Sequence, residues 1–166
     1  MRAEHPQLKW LWTSLAIILL DQATKQIAEH TLTPHQPVNV LPYFDWYLTY
    51  NTGAAFSFLA GAGGWQRWLF TVIAVVISAV IVHWLIKLPR GETITAASLA
   101  LILGGAIGNL IDRLYLGHVI DYIQIWLGSY PWPAFNIADA AISIGAVMLI
   151  LSSLTSTGKS GPNSSP

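Results

Sequence analysis

The chain has 166 residues, no cysteine and zero formal net charge, and it is 54% hydrophobic but only 10% charged. Soluble domains carry about 25% charged residues, so this composition is typical of a membrane protein. Zero net charge argues against nucleic acid as a partner, and the lack of cysteine excludes disulfides, thiol nucleophiles and thiolate metal sites.

Four apolar segments approach the length of about 20 residues that a membrane-spanning helix requires. They lie at about residues 8–28, 68–86, 94–114 and 134–154. The first resembles a signal peptide, but Asp21 and Lys25 replace small cleavage-site residues, which favours an uncleaved signal anchor. We expect an all-α polytopic membrane protein with one domain, 1–154, and four transmembrane helices. A Ser-, Gly- and Pro-rich tail, 155–166, is predicted to be disordered.

Two connecting segments are too interrupted to span a membrane. Residues 35–64 contain Pro37 and Pro42, and the run from Trp46 to Asn51 alternates with a period of two. This pattern predicts a small β-rich element on the outer membrane surface, for which a hairpin is one arrangement. Residues 115–133 are rich in aromatic and aliphatic side chains, which predicts a short interfacial helix or loop.

The distribution of basic residues predicts the orientation of the spans. Five basic residues flank one side of the predicted bundle and three flank the other: Arg2, Lys9, Lys87, Arg90 and Lys159 against Lys25, Arg67 and Arg113. Because positive residues are enriched in cytoplasmic segments, both termini are expected to lie in the cytoplasm.

Polar residues concentrate at one end of the predicted bundle. In an up-and-down arrangement, the end of helix one, the start of helix two, the end of helix three and the start of helix four share a face. The polar residues there are Asp21, Lys25, Asn51, Asn109, Asp112, Arg113, Asn136 and Asp139. This convergence predicts a functional site at the outer leaflet.

Several of these residues also have structural interpretations. Asp21 and Lys25 are four residues apart and can form a local ion pair. Asp112 is interpreted as the partner of Arg113 in an interfacial ion pair. Gly104 and Gly108 form a small-xxx-small pair of the kind that allows close helix packing.

Asp121 and Asp139 are the candidates for catalysis. An ionised carboxylate inside an apolar span costs about 2.5–3.5 kcal/mol, so such residues are commonly functional. If the fold brings the two carboxyl groups together, one pKa rises and the pair holds a single proton. One group can then deprotonate water while the other protonates a departing amide nitrogen, as in aspartic peptidases. No His-Glu-x-x-His motif supports a zinc peptidase, and no metal site or cofactor is expected.

The sequence resembles the lipoprotein signal peptidase (signal peptidase II) family over about residues 10–154. The resemblance is carried by five segments in order: 21–25 (DQATK), 51–57 (NTGAAFS), 104–113 (GGAIGNLIDR), 119–121 (VID) and 135–139 (FNIAD). It implies an aspartic endopeptidase of the bacterial inner membrane with an extracytoplasmic β-cradle and a periplasmic active site. The implied substrates are prolipoproteins carrying a diacylglyceryl-cysteine, cut just before that cysteine.

The resemblance also implies roles for individual residues. Asp121 and Asp139 match the catalytic pair, and Asp21 and Lys25 match a motif that supports the structure. The implied substrate- and inhibitor-binding residues are Asn51, Gly105, Asn109, Arg113 and Asn136. Membrane lipids and the cyclic peptide globomycin are the other implied partners.

Two rival interpretations remain from the residues alone. A small proton-coupled transporter subunit also uses intramembrane carboxylates, but it favours charges near mid-membrane on several helices. A purely structural membrane scaffold leaves the joint placement of Asn136 and Asp139 at one helix start unexplained.

Overall fold

The fold combines a helical bundle with a small antiparallel sheet. In the computed structural model, residues 5–53 and 63–157 are described. Within them, a 3₁₀ turn at Pro6–Trp10 precedes four helices: α1 (Leu11–Thr31), α2 (Trp65–Lys87), α3 (Thr93–Tyr115) and α4 (Ile137–Thr157). Residues 54–57 of the second matching segment, the basic residues Arg2 and Lys159, and tail residues 158–166 lie outside the described residues.

Three helices in the described part of the chain are long and apolar enough to cross a membrane, namely α2, α3 and α4 up to Thr155. These three predicted spans are therefore confirmed as helices of suitable length. α1 has 21 residues but carries Asp21, Lys25 and Glu29, and it is not among the three. The fourth span stays a prediction.

The sheet has four strands in the order β1-β2-β3-β4: β1 (Val38–Leu41), β2 (Phe44–Asn51), β3 (Val119–Leu127) and β4 (Tyr130–Pro131). β1 and β2 form the predicted hairpin, and Tyr43 adopts a positive φ of 68° in its turn. The register of β2 on β3 places Thr49 opposite Asp121. The sheet thereby brings Asp121 beside the end of β2, where Asn51 lies.

The prediction of an interfacial helix or loop over residues 115–133 is wrong for its central part. Val119–Leu127 is a strand that pairs with β2 on one side and with β4 on the other. Its residues Val119 to Tyr122 are all buried, so the polar and apolar alternation of a half-buried strand is absent. An apolar run without that alternation resembles a membrane-interface segment, which is why the sequence indicates a helix or loop there.

α3 is the central helix, and it packs against α1, α2 and α4. Glycines allow the close approach. A Cβ at Gly104 would lie 2.8 Å from the Cβ of Ile17 on α1, and one at Gly108 would lie 2.6 Å from the Asp21 carboxylate. A Cβ at Gly105 would clash with the carbonyl oxygen of Ala138 on α4. The predicted packing role of Gly104 and Gly108 is thus confirmed.

Two apolar clusters join the elements. One cluster lies between α2 and α3, and its larger buried members are Ile81, Leu85, Leu88, Leu99 and Leu103. The second cluster, which contains Ala28, Leu48, Ile120 and Tyr122, seats the sheet on the end of α1. The sheet therefore lies at the end of the bundle where α1 ends and α4 begins.

We expect Gly105→Ala to separate α3 from α4, because the added methyl group meets the main chain of Ala138 and the side chain of Ile142. Overpacking of this kind costs about 1–3 kcal/mol or more. Thermal unfolding in detergent should show a lower midpoint for this variant. Ala79→Val adds bulk on the exposed face of α2 and should leave the midpoint unchanged. An unchanged midpoint for Gly105→Ala would contradict the close packing.

Candidate active site

Asp121 lies on β3 and is 2% exposed. Its Oδ1 accepts a hydrogen bond from Asn136 Nδ2 at 2.7 Å, and its Oδ2 accepts one from Asn51 Nδ2 at 3.2 Å. The backbone N–H of Gly53 donates to Asn51 Oδ1 at 2.9 Å, which fixes the direction of that amide. Both oxygens of the Asp121 carboxyl group therefore receive amide hydrogens.

Asp139 lies in the first turn of α4, at a helix start that two side chains cap. The Oδ1 of Asn136 accepts the backbone N–H of Asp139 at 2.9 Å, and the Oδ1 of Asp21 accepts that of Ala138 at 2.9 Å. Such caps satisfy N–H groups that have no partner inside the helix. Asn136 thus contacts the main chain of Asp139 and the side chain of Asp121 at once, and it links the two aspartates.

Asn109 on α3 supplies the third asparagine amide of the site. Its Nδ2 donates to Asp139 Oδ1 at 2.7 Å, and its Oδ1 accepts from Lys25 Nζ at 3.0 Å. A lysine ammonium can only donate, so it forces the amide oxygen of Asn109 toward Lys25 and the NH₂ group toward Asp139.

Lys25 is the centre of a buried charged cluster. It is 1% exposed, and its Nζ lies 2.7 Å from Asp21 Oδ2 and 2.8 Å from Asp112 Oδ2. With Asn109, these contacts occupy the three N–H donors of the ammonium. The predicted local pair of Asp21 and Lys25 is confirmed. It belongs to a larger cluster that the sequence did not predict.

Asp112 does not pair with Arg113 as predicted. Besides Lys25, it accepts the backbone N–H of Ile120 at 3.2 Å and the Nε2 of Gln22 at 2.8 Å. The two neighbours on α3 point to different sides, because adjacent helix residues do not share a face. Asp112 lies three residues after Asn109, and this helical spacing indicates that its side chain shares a face of α3 with the site.

Arg113 follows Asp112 on α3 and extends toward Phe70 of α2 and Gly53, which follows β2. Its Nη2 donates to the Gly53 carbonyl at 3.2 Å, and its guanidinium carbon lies 5.4 Å from the centre of the Phe70 ring. Its Nη1 donates to the Asn109 carbonyl at 3.4 Å. The guanidinium is therefore held beside the asparagine that contacts Asp139.

A cleft of about 580 Å³ opens beside these residues. Its polar lining includes Asn51, Asn109, Arg113 and Asp139, and its apolar walls come from α2, α3, α4 and residues 132–135. Gly105 contributes packing between α3 and α4 and is not among the residues that line the cleft. The cleft can admit an apolar chain along the helices and a polar group at Asp139.

Burial, and then the negative charge of Asp139, raise the pKa of Asp121 to about 7. Hydrogen bonds from Asn51 and Asn136 and the charge of Lys25 act in the opposite direction. A group whose folded-state pKa is raised stays protonated below that value and loses its proton as the pH rises through it. Near neutral pH the pair can therefore hold one proton, as a general acid and base require.

Gln22 and Arg67 are two further polar residues of this region that sequence reasoning missed. Gln22 Nε2 donates to Asp112 Oδ1 and also to the Gly108 carbonyl at 3.2 Å. Arg67 donates to main-chain carbonyls at the end of α3. Nothing in the sequence spacing indicates either contact, because each joins residues far apart in the chain.

Comparisons with known proteins place the chain among membrane peptidases. The family model described as Signal peptidase (SPase) II matches residues 13–155. A lipoprotein signal peptidase of Pseudomonas putida is 59% identical over 147 residues, which cover 87% of this chain and 86% of that protein. One of Pseudomonas aeruginosa is 54% identical, with 87% of this chain and 87% of that protein covered.

Two solved structures have the same fold. Both are described as bacterial membrane enzymes. The first superposes with a TM-score of 0.84 at 28% identity and covers 95% of this chain and 94% of that one. The second has a TM-score of 0.77 at 29% identity and covers 88% and 92% of the two chains.

We expect Lys25→Met to destabilise the protein strongly, because it leaves the buried carboxylates of Asp21 and Asp112 without a cation. Breaking a buried ion pair by removing one partner costs about 3–5 kcal/mol. Equilibrium unfolding in detergent measures this loss. Lys9→Met removes an exposed charge and serves as the control. Equal stability of the two variants would show that the cluster contributes nothing.

We expect Asp139→Asn to lower the pKa of Asp121, because it removes the neighbouring negative charge while burial remains. Titration of the ¹³C carboxyl signals of labelled aspartate in detergent micelles measures the shift. Asp45→Asn, which changes a carboxylate bonded to Asn39 and Trp126, should leave the Asp121 titration unchanged. An unaltered pKa in Asp139→Asn would mean that the two carboxyl groups do not interact.

Proposed function

The chain belongs to the signal peptidase II family, and we propose that it acts through Asp121 and Asp139 as a catalytic pair. It is a membrane aspartic endopeptidase that removes signal peptides from prolipoproteins. The observation that carries the proposed roles is the link through Asn136, which bonds to the Asp121 carboxyl group and to the main chain of Asp139.

The proposed reaction uses one carboxylate and one carboxylic acid. The carboxylate takes a proton from a water molecule, whose oxygen attacks the carbonyl carbon of the scissile peptide bond. The acid gives its proton to the amide nitrogen as the C–N bond breaks. The pair holds one proton before and after the reaction. The raised pKa of Asp121 supports this sharing near neutral pH.

Asn51, Asn109, Asn136 and Arg113 are the proposed binding residues. The three amides hold the carboxyl groups in place, and Arg113 lies on the cleft wall, where its guanidinium can donate to substrate carbonyls. For Gly105, the packing against Ala138 suggests that it acts through the spacing of α3 and α4 rather than by contact with substrate.

The proposed membrane placement follows the positive residues and the site. Four spans, with α1 as the first, put both termini in the cytoplasm and the sheet on the periplasmic side of the inner membrane as an extracytoplasmic cradle. The diacylglyceryl chains of the substrate lie along the apolar cleft walls, which include Ile73, Ile77 and Ile144. The inhibitor globomycin is proposed to occupy the same cleft. A transporter role is not favoured, because the charged groups gather at one end of the bundle.

We expect Asp121→Asn and Asp139→Asn each to reduce cleavage by about a thousandfold, the usual range for loss of a general acid or base. The assay follows the gel shift of a lipidated prolipoprotein in proteoliposomes, with the unlipidated form as the second substrate. Asp45→Asn makes the same isosteric change on the same sheet but outside the site, and this control variant should retain activity. Full activity of either site variant, with the protein folded and inserted, would remove the pair from the mechanism.

A further inference from the structure

Arg67 lies in the first turn of α2 and contacts the last turn of α3. Its Nε donates to the carbonyl oxygen of Arg113 at 2.6 Å, and its Nη2 donates to that of Leu114 at 2.7 Å. The last carbonyls of a helix have no partner within the helix. The guanidinium therefore caps α3 with two of its donors, and its planar fork suits two adjacent acceptors.

The position of Arg67 in its own helix is unfavourable. A positive side chain in the first turn opposes the helix dipole, whose positive end lies there. The C-terminal end of α3 carries the opposite partial charge and attracts a cation. The contact with α3 thus offsets the cost on α2. This difference in electrostatic energy indicates that Arg67 stabilises the C-terminal end of α3.

The capped turn is the one from which Arg113 extends. The carbonyl that receives Arg67 Nε belongs to Arg113 itself, while the Arg113 side chain reaches Gly53 and the cleft. Two neighbouring amides, of Leu116 and Gly117, donate to the Asp112 carbonyl at 2.7 Å and 3.2 Å. A Cβ at Gly117 would lie 3.3 Å from Arg67 Nη1, so this turn is closely packed on the guanidinium.

We propose that Arg67 is a positioning residue, which fixes the main chain of Arg113 and thereby the direction in which the Arg113 guanidinium enters the cleft. This inference rests on the proposed function of the site. Arg67 bonds to the α3 carbonyls and acts on the reaction only through Arg113. Its loss loosens the final turn of α3 and misplaces a group that contacts substrate.

The experiment compares Arg67→Gln and Arg67→Lys with the parent in single-turnover cleavage of a lipidated prolipoprotein. We expect kcat/KM to fall about tenfold in Arg67→Gln, because a misplacement of about 1 Å can cost roughly a hundredfold and the loss of one helix-end contact should move Arg113 by less than that. Arg67→Lys should recover part of the loss. Lys87→Gln, which removes a basic charge at the other end of α2, is the control and should stay within twofold.

A double-mutant cycle separates positioning from general support. In an Arg113→Lys background, Arg67→Gln should cost less than twofold, because its effect passes through Arg113. The same tenfold loss in both backgrounds would overturn the proposal. So would a loss in Arg67→Gln of less than twofold in the parent background.

Hydrogen exchange gives a readout that does not depend on activity. Arg67→Gln should speed exchange at the amides of Leu116 and Gly117, whereas Lys87→Gln should not. Unchanged exchange at both amides would overturn the proposal even if Arg67→Gln cleaves more slowly than the parent. A parent that folds but cleaves no lipidated substrate would count against the proposed function, while faster exchange at these amides would still support the cap.

Discussion

The site depends on the hydrogen bonds of one buried cation, the ammonium group of Lys25. Its three hydrogen bonds reach Asp21 on its own helix and Asp112 and Asn109 on α3. Each carboxylate then holds a second element through a backbone N–H: Asp21 that of Ala138 at the start of α4, and Asp112 that of Ile120 on β3. One cation thus fixes the relative positions of the helix and the strand that carry the two aspartates.

Buried ion pairs are poor sources of net stability, since desolvation offsets much of their attraction. Their better-supported effect is to select one arrangement among alternatives, and the direction of the hydrogen bonds fits that role here. Lys25 orients Asn109, Gly53 orients Asn51, and the main chain of Asp139 orients Asn136. Each amide consequently presents its NH₂ group to a carboxyl oxygen. The negative charge of the pair is therefore stabilised by neutral donors, and Arg113 stays directed toward Gly53 and the cleft.

The sequence predicts the features that local chemistry determines. Hydropathy indicates α2, α3 and α4, and prolines with period-two alternation indicate the hairpin. The sequence does not predict β3, because the strand is buried on both faces from Val119 to Tyr122 and the alternation of polar and apolar residues is therefore absent. The site shows the same division. The spacing of four residues predicts the ion pair of Asp21 and Lys25. The ion pair of Asp112 and Lys25 joins residues 87 positions apart (112 − 25 = 87), so only the packing of α1 on α3 determines it.

Asn136 serves two purposes with one side chain, because it caps α4 and holds Asp121. A substitution at Asn136 would therefore disturb the start of α4 and release the carboxyl group of Asp121 together. Apolar wall residues such as Ile73 and Ile77 lie on α2, so a substitution there can change the shape of the cleft while both carboxyl groups stay in place. A compound that drew its affinity from Asn51 and Asn109 would be harder to evade by a single substitution, because each of these amides also holds one of the two carboxyl groups.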